Sequence, residues 1–229
     1  MALYALGDLH LSLGGSGKPM DVFEGWKDYV KLLESNWKST VDDGDTVVLV
    51  GDLSWAMGLQ DAFEDLKFVN GLPGKKIIIK GNHDYWWSTA AKMNNYFEEC
   101  GFSTLSILHN NFYRYEKFGI CGTRGWISIS DEPQDEKVLK REVQRLEVSV
   151  KATAQDGLEP IAFLHYPPVY GSSYNCDILD ILYKYQVRRC YYGHIHGNGI
   201  KNAVNGLLNH IDFRLVSGDF LCFMPKKIE

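Results

Sequence analysis

A short segment after an apolar run combines three side chains that could do chemistry together. The run 77–79 predicts a buried strand, and Gly81 allows the chain to turn directly after it. Asn82, His83 and Asp84 follow, so an amide, an imidazole and a carboxylate stand near the end of that strand. Such groups bind metal ions or transfer protons. The segment therefore predicts a reactive site.

Four other apolar segments end in the same way, with Asp or His beside a small turn. The candidate metal ligands from all five sites are Asp8, His10, Asp52, Asn82, His165, His194 and His196. Imidazole nitrogens mixed with carboxylate and amide oxygens, without a thiolate, suit Mn, Fe, Zn, Co or Ni, and they disfavour calcium, which takes oxygen ligands. Seven ligands exceed what one tetrahedral ion uses. The set predicts two ions with a carboxylate free to bridge them.

Three units of strand, polar turn and helix open the chain and predict a largely parallel sheet, whose strand ends carry the ligands. Asp8 and His10 follow the first strand, and in an extended segment they would point the same way and hold one ion together. Asp21 is the predicted N-cap of the first helix. The predicted strands are 2–6, 46–50, 76–80, 104–108, 112–115, 118–121, 161–164, 187–192, 211–217 and 219–224, and the predicted helices are 22–37, 59–69, 88–100, 133–154 and 177–185.

Composition narrows the class of protein. A chain of 229 residues with 45% apolar content can bury one substantial core, so residues 1–229 are expected to form a single domain. A net charge of −5 argues against a long nucleic acid or an anionic membrane as partner. Five cysteines without C-x-x-C spacing, no secretory leader and no run of ~20 apolar residues predict a cytoplasmic protein with reduced thiols. Its oligomeric state stays open.

The order of the motifs carries a resemblance to a known family. D-x-H at Asp8, G-D at Asp52, G-N-H-D at Asn82, a lone His165 after a strand and G-H-x-H at His194 resemble the calcineurin-like metallophosphoesterase superfamily. The resemblance extends over nearly the whole chain, and no block departs from the family pattern. It implies a four-layer α/β/β/α sandwich of two mixed β-sheets flanked by helices.

The resemblance also implies roles for the candidate ligands. One ion would be held by Asp8, His10 and His196. The other would be held by Asn82, His165 and His194. Asp52 would bridge the two ions, which are expected to be Mn, Fe or Zn. Two divalent ions bring four positive charges and the two aspartates return two negative ones, so the site would attract a phosphate.

Catalytic and substrate-binding roles follow from the same resemblance. His83 matches a histidine that contacts the phosphate and protonates the leaving group, Asp84 matches the residue that orients it, and Asn82 is also placed at the substrate. Arg124 lies in a glycine-flanked turn, where its guanidinium could hold a phosphate or could be an ordinary surface group. Residues 85–87 are aromatic and are expected to pack in the core, with stacking on a flat substrate as the alternative.

The implied activity is that of a dinuclear metal-dependent phosphohydrolase. A metal-bridging hydroxide would attack a phosphomonoester or phosphodiester of a small molecule. The alternatives are a cyclic-nucleotide or other nucleotide phosphodiesterase and, in another class, a metal-bound interaction scaffold. Specificity is expected to lie in loops 11–20, 53–58, 122–132 and 166–176. The charged helix 133–154 predicts a solvated face, with a lid formed by Lys140, Arg141 and Arg145 as the alternative.

Overall fold

Two mixed β-sheets pack face to face between two layers of helices. The computed structural model describes residues 1–15, 18–126 and 136–229. Apolar side chains from the inner faces of both sheets form a common core that includes Val48, Ile77, Ile120 and Phe163. The architecture is the α/β/β/α sandwich that the motif order implied.

The first sheet carries the N-terminal ligand segments. Its strand order is β13-β1-β2-β3-β4, with β1 to β4 parallel and β13 antiparallel to β1. Parallel strands buried on both faces read as continuous β-branched and apolar runs, which is why TVVLV and KIII were recognisable. The strands are β1 (Leu3–Leu6), β2 (Thr46–Val50), β3 (Lys75–Ile79), β4 (Leu105–Ile107) and β13 (Lys226–Lys227).

The second sheet carries the C-terminal ligand segments. Its order is β11-β12-β10-β7-β6-β5, with a parallel centre from β12 to β6 and one antiparallel strand at each edge. Strands β8 and β9 form a separate hairpin. The strands are β5 (Tyr113–Tyr115), β6 (Phe118–Thr123), β7 (Glu159–Leu164), β8 (Val169–Tyr170), β9 (Ser173–Tyr174), β10 (Arg189–Tyr192), β11 (Gly206–Leu208) and β12 (Ile211–Leu215).

Helices cover the outer face of each sheet. Three lie on the first sheet and contribute Leu33, Leu66 and Met93 to its outer core. Two lie on the second sheet, where Leu146 and Leu182 are buried. The helices are α1 (Tyr29–Thr40), α2 (Phe63–Gly71), α3 (Ala90–Glu99), α4 (Glu136–Gln155) and α5 (Cys176–Lys184).

The first predicted helix is wrong over its N-terminal half. Residues Met20–Val22 form a short 3₁₀ turn, and α1 begins only at Tyr29. Gly25 (φ 84°) and Asp28 (φ 55°) adopt left-handed backbone conformations that a helix cannot continue through. Asp21 is not an N-cap of α1, since its Oδ1 accepts a hydrogen bond from the Asp28 backbone amide at 3.0 Å.

The last predicted strand, 219–224, is also wrong. Cys222 (φ 50°) and Phe223 (φ 55°) have left-handed backbones, and the amide of Phe223 donates to the carbonyl of Gly218 at 2.7 Å. The segment is therefore a compact turn, and the apolar side chain of Phe223 is buried against Trp26 and Tyr29. Apolar residues in this segment fill the outer core instead of pairing in a sheet.

The charged helix is α4, which the structure describes from Glu136 onwards, so the predicted start at Pro133 and most of loop 122–132 lie outside the described residues. Its inner face is more polar than predicted, because Glu142 is buried and accepts hydrogen bonds from Thr123 (2.5 Å) and Arg145 (2.7 Å).

Among the helices in the described parts of the chain, none combines the length and apolarity needed to cross a bilayer.

Candidate metal centre

The candidate ligands converge at one edge of the sandwich. The parallel strands β1, β2, β3, β7 and β10 each end shortly before one of the ligand segments. Backbone hydrogen bonds tie these segments together, because the amide of Asp8 donates to Gly51 at 2.9 Å and the amide of Gly193 donates to His165 at 3.1 Å. The carboxyl ends of both sheets therefore meet in a single site, as in other parallel α/β folds.

Within this site the side chains form two groups. Ligand atoms of Asp8, His10 and His196 lie within 4.8 Å of one another. A second group, with the same spacing, contains Asp52, His165 and His194. Asn82 joins the second group, since its Oδ1 lies 2.7 Å from His165 Nε2. The two groups keep Asp8, His10 and His196 apart from Asn82, His165 and His194, and the second group also contains Asp52.

Left-handed backbone conformations aim four of these side chains. Asp8 (φ 59°), His10 (φ 44°), Asp52 (φ 51°) and His194 (φ 71°) all have positive φ. Such conformations are costly for residues with a side chain, and they cluster at functional sites. The expected reason for Asp8 and His10 sharing an ion was therefore wrong: β1 ends at Leu6, and a tight turn, not strand alternation, brings them together.

Asp52 stands between the two groups. Its Oδ2 lies 3.8 Å from His10 Nε2, in the first group, and 3.4 Å from His165 Nε2, in the second. The other oxygen, Oδ1, accepts a hydrogen bond from the backbone amide of His83 at 2.8 Å. One oxygen is thus held by the turn at residue 83, while the other faces one imidazole from each group.

The donor atoms of the second group fit a cation. His165 Nδ1 lies 3.0 Å from the carbonyl oxygen of Val50, which can only accept, so Nδ1 carries the proton. Its Nε2 then presents a lone pair to the oxygens of Asn82 and Asp52. Three acceptors facing one another repel unless a positive ion lies between them. The second group therefore has the electronic character of a metal site.

Close backbone approach at two glycines makes room for the carboxylates. A Cβ at Gly81 would overlap Oδ1 and the backbone nitrogen of Asp52, and a Cβ at Gly193 would overlap Oδ2 of Asp8. Neither glycine has positive φ, so the need is for space and not for backbone freedom. These contacts explain why glycine precedes the ligand in both motifs.

A comparison with protein families identifies the family of this chain. The family described as calcineurin-like phosphoesterase matches residues 1–198, a range that includes all seven candidate ligands. The chain belongs to the calcineurin-like phosphoesterase family. A search of curated proteins finds no match for this family member.

Solved structures share the fold of this family member at low sequence identity. A protein of unknown function, AQ665 from Aquifex aeolicus, is 17% identical with a TM-score of 0.53, and the match covers 99% of this chain and 95% of that one. The protein TT1561 of Thermus thermophilus is 12% identical with a TM-score of 0.51, covering 85% of this chain and 81% of that one. At these identities the likeness concerns the fold alone.

Asp219 belongs to the site of this phosphoesterase-family chain, although no motif pointed to it. Its Oδ1 lies 2.9 Å from His196 Nδ1, and its Oδ2 accepts from the amide of Gly197 at 3.0 Å. The contact leaves Nε2 of His196 facing Asp8 at 3.3 Å. A carboxylate that holds the far nitrogen of a metal-ligating imidazole is a recurrent feature of metal sites. The misassigned strand 219–224 concealed this residue in the sequence.

Burial keeps most of the imidazoles neutral. It lowers the pKa of His194 to about 3, with a further contribution from His165, and lowers the pKa of His10 well below its usual value. Neutral imidazole is the form that binds metal. His196 differs, because the Asp8 and Asp219 carboxylates outweigh the effect of burial and raise its pKa to about 10. The protonated His196 ring thus places a positive charge at the first ligand group, where a metal ion would also be favoured.

The two carboxylates deepest in the site have opposite pKa shifts. Burial raises the pKa of Asp52 to about 7, against the neighbouring His165, and Asp84 and Asp8 add to the increase. For Asp8 burial is outweighed chiefly by His196, whose positive charge and hydrogen bond hold the pKa of Asp8 below the usual range. Two closely spaced acidic groups compete for the same positive charge. A second cation would relieve this competition.

The hydrogen bonds of Asp84 join it to backbone amides and to Trp86, not to the His83 imidazole, and its role in orienting that ring stays a prediction. Its Oδ1 accepts hydrogen bonds from Leu53 N (2.9 Å), Ser54 N (3.3 Å) and Trp86 Nε1 (2.9 Å). Its Oδ2 accepts from Asp52 N (2.9 Å) and Gly81 N (2.7 Å). The buried carboxylate ties together the turns that present Asp52 and the 81–84 segment. It positions the ligands through the backbone.

His83 faces aromatic rings and the first ligand group. Its ring centroid lies 4.4 Å from that of Trp55 and 5.7 Å from that of His10. Its Nδ1 is buried and has no hydrogen-bond partner among the residues that the structure describes. Burial, followed by the neighbouring His165 and Lys18 side chains, lowers its pKa to about 4. The imidazole is thus a polar group next to the ligands with an unused nitrogen.

Arg124 lies beside the site in a cationic cluster. Its guanidinium is 3.7 Å from the buried Glu142 and packs over the Trp126 ring at 5.0 Å. Lys80 is close enough for Arg124 and Arg145 to contribute to lowering its pKa after burial. The role of Arg124 in binding a phosphate stays a prediction.

The aromatic run after His83 has a mostly structural role. Trp86 is buried, and Trp87 packs partly buried against the same core. Tyr85 is half exposed. Core packing, the role expected for residues 85–87, therefore describes the two tryptophans, whereas the tyrosine side chain remains at the surface near Lys18.

Proposed function

We propose that this chain is a dinuclear metal-dependent phosphohydrolase that cleaves a phosphoester of a small molecule. The observation that carries the proposal is the position of Asp52, whose Oδ2 faces one imidazole from each ligand group at 3.8 and 3.4 Å. Membership of the calcineurin-like phosphoesterase family supports the same reaction class.

The side chains divide naturally between two ions. Asp8, His10 and His196 would hold one, and Asn82, His165 and His194 the other, with Asp52 shared. Mixed nitrogen and oxygen donors without sulfur favour Mn, Fe or Zn. When bound, such ions would lower the pKa of water and neutralise charge on the phosphoryl oxygens.

His83 is the proposed acid for the leaving group. It lies beside the first ligand group without belonging to it, and its ring contacts Trp55 instead of a carboxylate. Its pKa of about 4 describes the imidazole without substrate. A phosphate dianion within hydrogen-bonding distance would raise that pKa towards neutrality, because an opposite charge favours the protonated form. The imidazole would therefore take up a proton from solvent when the substrate binds and pass it to the departing oxygen.

Charge supports a small anionic substrate. The buried aspartates Asp8 and Asp52 would only partly compensate two divalent ions, which leaves the site positive. The chain as a whole carries a formal charge of −5, which disfavours a long polyanion.

All five cysteines are free thiols, which supports a reducing compartment such as the cytoplasm.

The test is hydrolysis of aryl phosphates by metal-loaded protein. Elemental analysis after loading with Mn should give two ions per chain, and the protein should hydrolyse 4-nitrophenyl phosphate or its bis-ester; the ratio of the two rates tells monoesterase from diesterase. His83→Ala should retain both ions and lose at least about 100-fold in turnover. Lys92→Ala, on the exposed part of α3, is the matched control.

Two results would contradict the proposal. A protein that holds two ions and cleaves no member of a broad phosphoester panel would favour the interaction scaffold. A protein that cannot be loaded beyond one ion would remove the dinuclear centre. An unchanged rate in His83→Ala would remove only the acid and leave the rest of the mechanism in place.

A further inference from the structure

An apolar cavity opens directly beside the candidate metal centre. It has a volume of about 540 Å³, and His10, His83 and His196 form one part of its lining. Other parts of the lining include Met20, Phe23, Trp26 and Trp55. The cavity is therefore continuous with the reactive side chains, and it is large enough for a group of ring size or more.

The position of His83 decides which part of a substrate would enter this cavity. In the proposed function the imidazole of His83 gives its proton to the leaving oxygen, so the leaving group begins at that ring. The Trp55 ring lies 4.4 Å from the His83 ring, and both line the cavity. A leaving group that starts at His83 thus continues along Trp55 into the apolar space.

The cavity wall is built to receive apolar atoms. Trp26 is buried and held edge-on by Tyr29 at 5.1 Å and Phe223 at 4.9 Å, so its position is set by packing. Trp55 stacks on His10 at 4.8 Å. Phe23 is 57% exposed, which leaves much of its ring free to be covered by a ligand. Burial of such surface by an apolar group is favourable.

The charges argue against a leaving group with more phosphates. Among the described residues that line the cavity there is no Lys or Arg, and the one charged carboxylate is Glu24. Lys18 lies 4.5 Å from the Trp55 ring centroid but does not line the cavity. An additional phosphate in this space would face Glu24, while Lys18, the nearby lysine, lies outside the lining.

From these observations we propose that the substrate is the phosphoester of a bulky apolar alcohol or phenol, whose apolar part occupies the cavity between Phe23 and the two tryptophans. The inference rests on the proposed function, because it takes the phosphoryl group to bind at the metal centre and the leaving group to depart past His83. It adds the chemical class of the leaving group.

Binding of phosphonates tests the inference without turnover, since their carbon–phosphorus bond is not hydrolysed. Calorimetry with the Mn-loaded protein should compare methyl-, 2-hydroxyethyl-, phenyl- and 1-naphthylphosphonate. The expected result is at least tenfold tighter binding of the phenyl and naphthyl compounds than of the methyl compound, with the hydroxyethyl compound no better than methyl.

Two substitutions localise the effect. Phe23→Ala should weaken phenylphosphonate severalfold and leave methylphosphonate unchanged. Val22→Ala is the matched control, because Val22 is the preceding residue, is 74% exposed and does not line the cavity. Both positions are at the surface, so the variants are expected to fold.

The outcomes separate this inference from the function on which it rests. Equal affinity for methyl- and phenylphosphonate, or equal weakening of both by Phe23→Ala, overturns the leaving-group class even if the protein hydrolyses phosphoesters. Apolar selectivity in a protein without hydrolytic activity would support the cavity and contradict the catalytic proposal. Failure of every phosphonate to bind would contradict both.

Discussion

The Nδ1 atom of His196 donates to Oδ1 of Asp219 at 2.9 Å, and this contact sets which nitrogen the imidazole presents to the first ligand group. Asp219→Ala should therefore weaken metal binding by Asp8, His10 and His196 roughly 10–100-fold while leaving the second group intact. Metal titration followed by calorimetry would show one unchanged and one weakened site. Asp180→Ala, on the exposed face of α5, is the control; a uniform loss at both sites would contradict a local role.

Asp52→Asn should cost the protein both ions. The amide oxygen can still accept the hydrogen bond from His83 N at 2.8 Å, so the turn should persist, but the bridging oxygen is replaced by a donor that faces two imidazoles. Elemental analysis after desalting should fall from two ions to fewer than one. Asn82→Ala should remove at most one ion, and Asp43→Asn, an exposed carboxylate, should remove none. Retention of both ions in Asp52→Asn would disprove the bridge.

Asp84→Asn should destabilise the fold, whereas His83→Ala should not. The Asp84 carboxylate accepts five N–H donors, and an amide would turn its NH₂ group against at least two of them. We expect a decrease in the free energy of unfolding of roughly 3 kcal/mol or more. Urea denaturation of the metal-free proteins measures it. If Asp84→Asn lowers turnover with unchanged stability, the residue acts on His83 after all.

Gly81→Ala should disrupt the site because there is no room for the added methyl group. The added methyl group would overlap the Asp52 carboxylate, which is held by the amide of His83, and the Asp52 backbone nitrogen, which is held by the buried Asp84. Metal binding should fall at least tenfold, with a loss of stability typical of overpacking, about 1–3 kcal/mol. Gly71→Ala, where a Cβ meets no atom within 4 Å, should bind metal normally. Normal metal content in Gly81→Ala would show that the ligand turn can move.

Lys76 should make the free energy of unfolding increase with pH in the alkaline range. The side chain is fully buried, and its ammonium donates to the carbonyls of Leu72, Gly74 and Asn70 at the end of α2. Burial lowers its pKa from 10.5 to about 8. Between these values the folded state binds fewer protons than the unfolded state, so the contribution of Lys76 to the free energy of unfolding rises with pH.

The measurement is the difference between the wild-type protein and Lys76→Met at pH 7, 8, 9 and 10. Groups that titrate in both proteins cancel in this difference if they are independent of residue 76. The free energy of unfolding of the wild type, relative to that of Lys76→Met, should rise by up to roughly 3 kcal/mol across this pH range, at 1.36 kcal/mol per pKa unit. A flat difference would show that the three carbonyls keep the ammonium charged.

Local sequence was sufficient for the elements that carry the ligands. The runs 46–50 and 77–79 could be recognised as buried parallel strands because both of their faces are covered and every residue is apolar or β-branched. Each run is followed by a motif whose side chains can bind metal ions or transfer protons. The candidate ligands could therefore be proposed from the sequence, whereas their division into two sets was implied by the family resemblance.

Local sequence failed where long-range packing overrides propensity. Residues 22–28 have apolar spacing typical of a helix, yet the backbone turns at Gly25 and Asp28 and places Phe23 beside the cavity. Residues 219–224 have the composition of a strand, yet Phe223 is buried against Trp26. In both segments an aromatic side chain, Trp26 in the first and Phe223 in the second, is buried in the outer core although the backbone is irregular.

By itself the sequence determined which residues can bind metal, their order along the chain and the strands that deliver them, because these depend on side-chain chemistry and short-range periodicity. Only the tertiary structure decided how the ligands are aimed. The left-handed backbone at Asp8 and Asp52, the support of Asp219 for His196 and the cavity beside His83 arise where the ends of two sheets meet. Such conformations are unfavourable locally and persist because the surrounding core and hydrogen bonds compensate their cost.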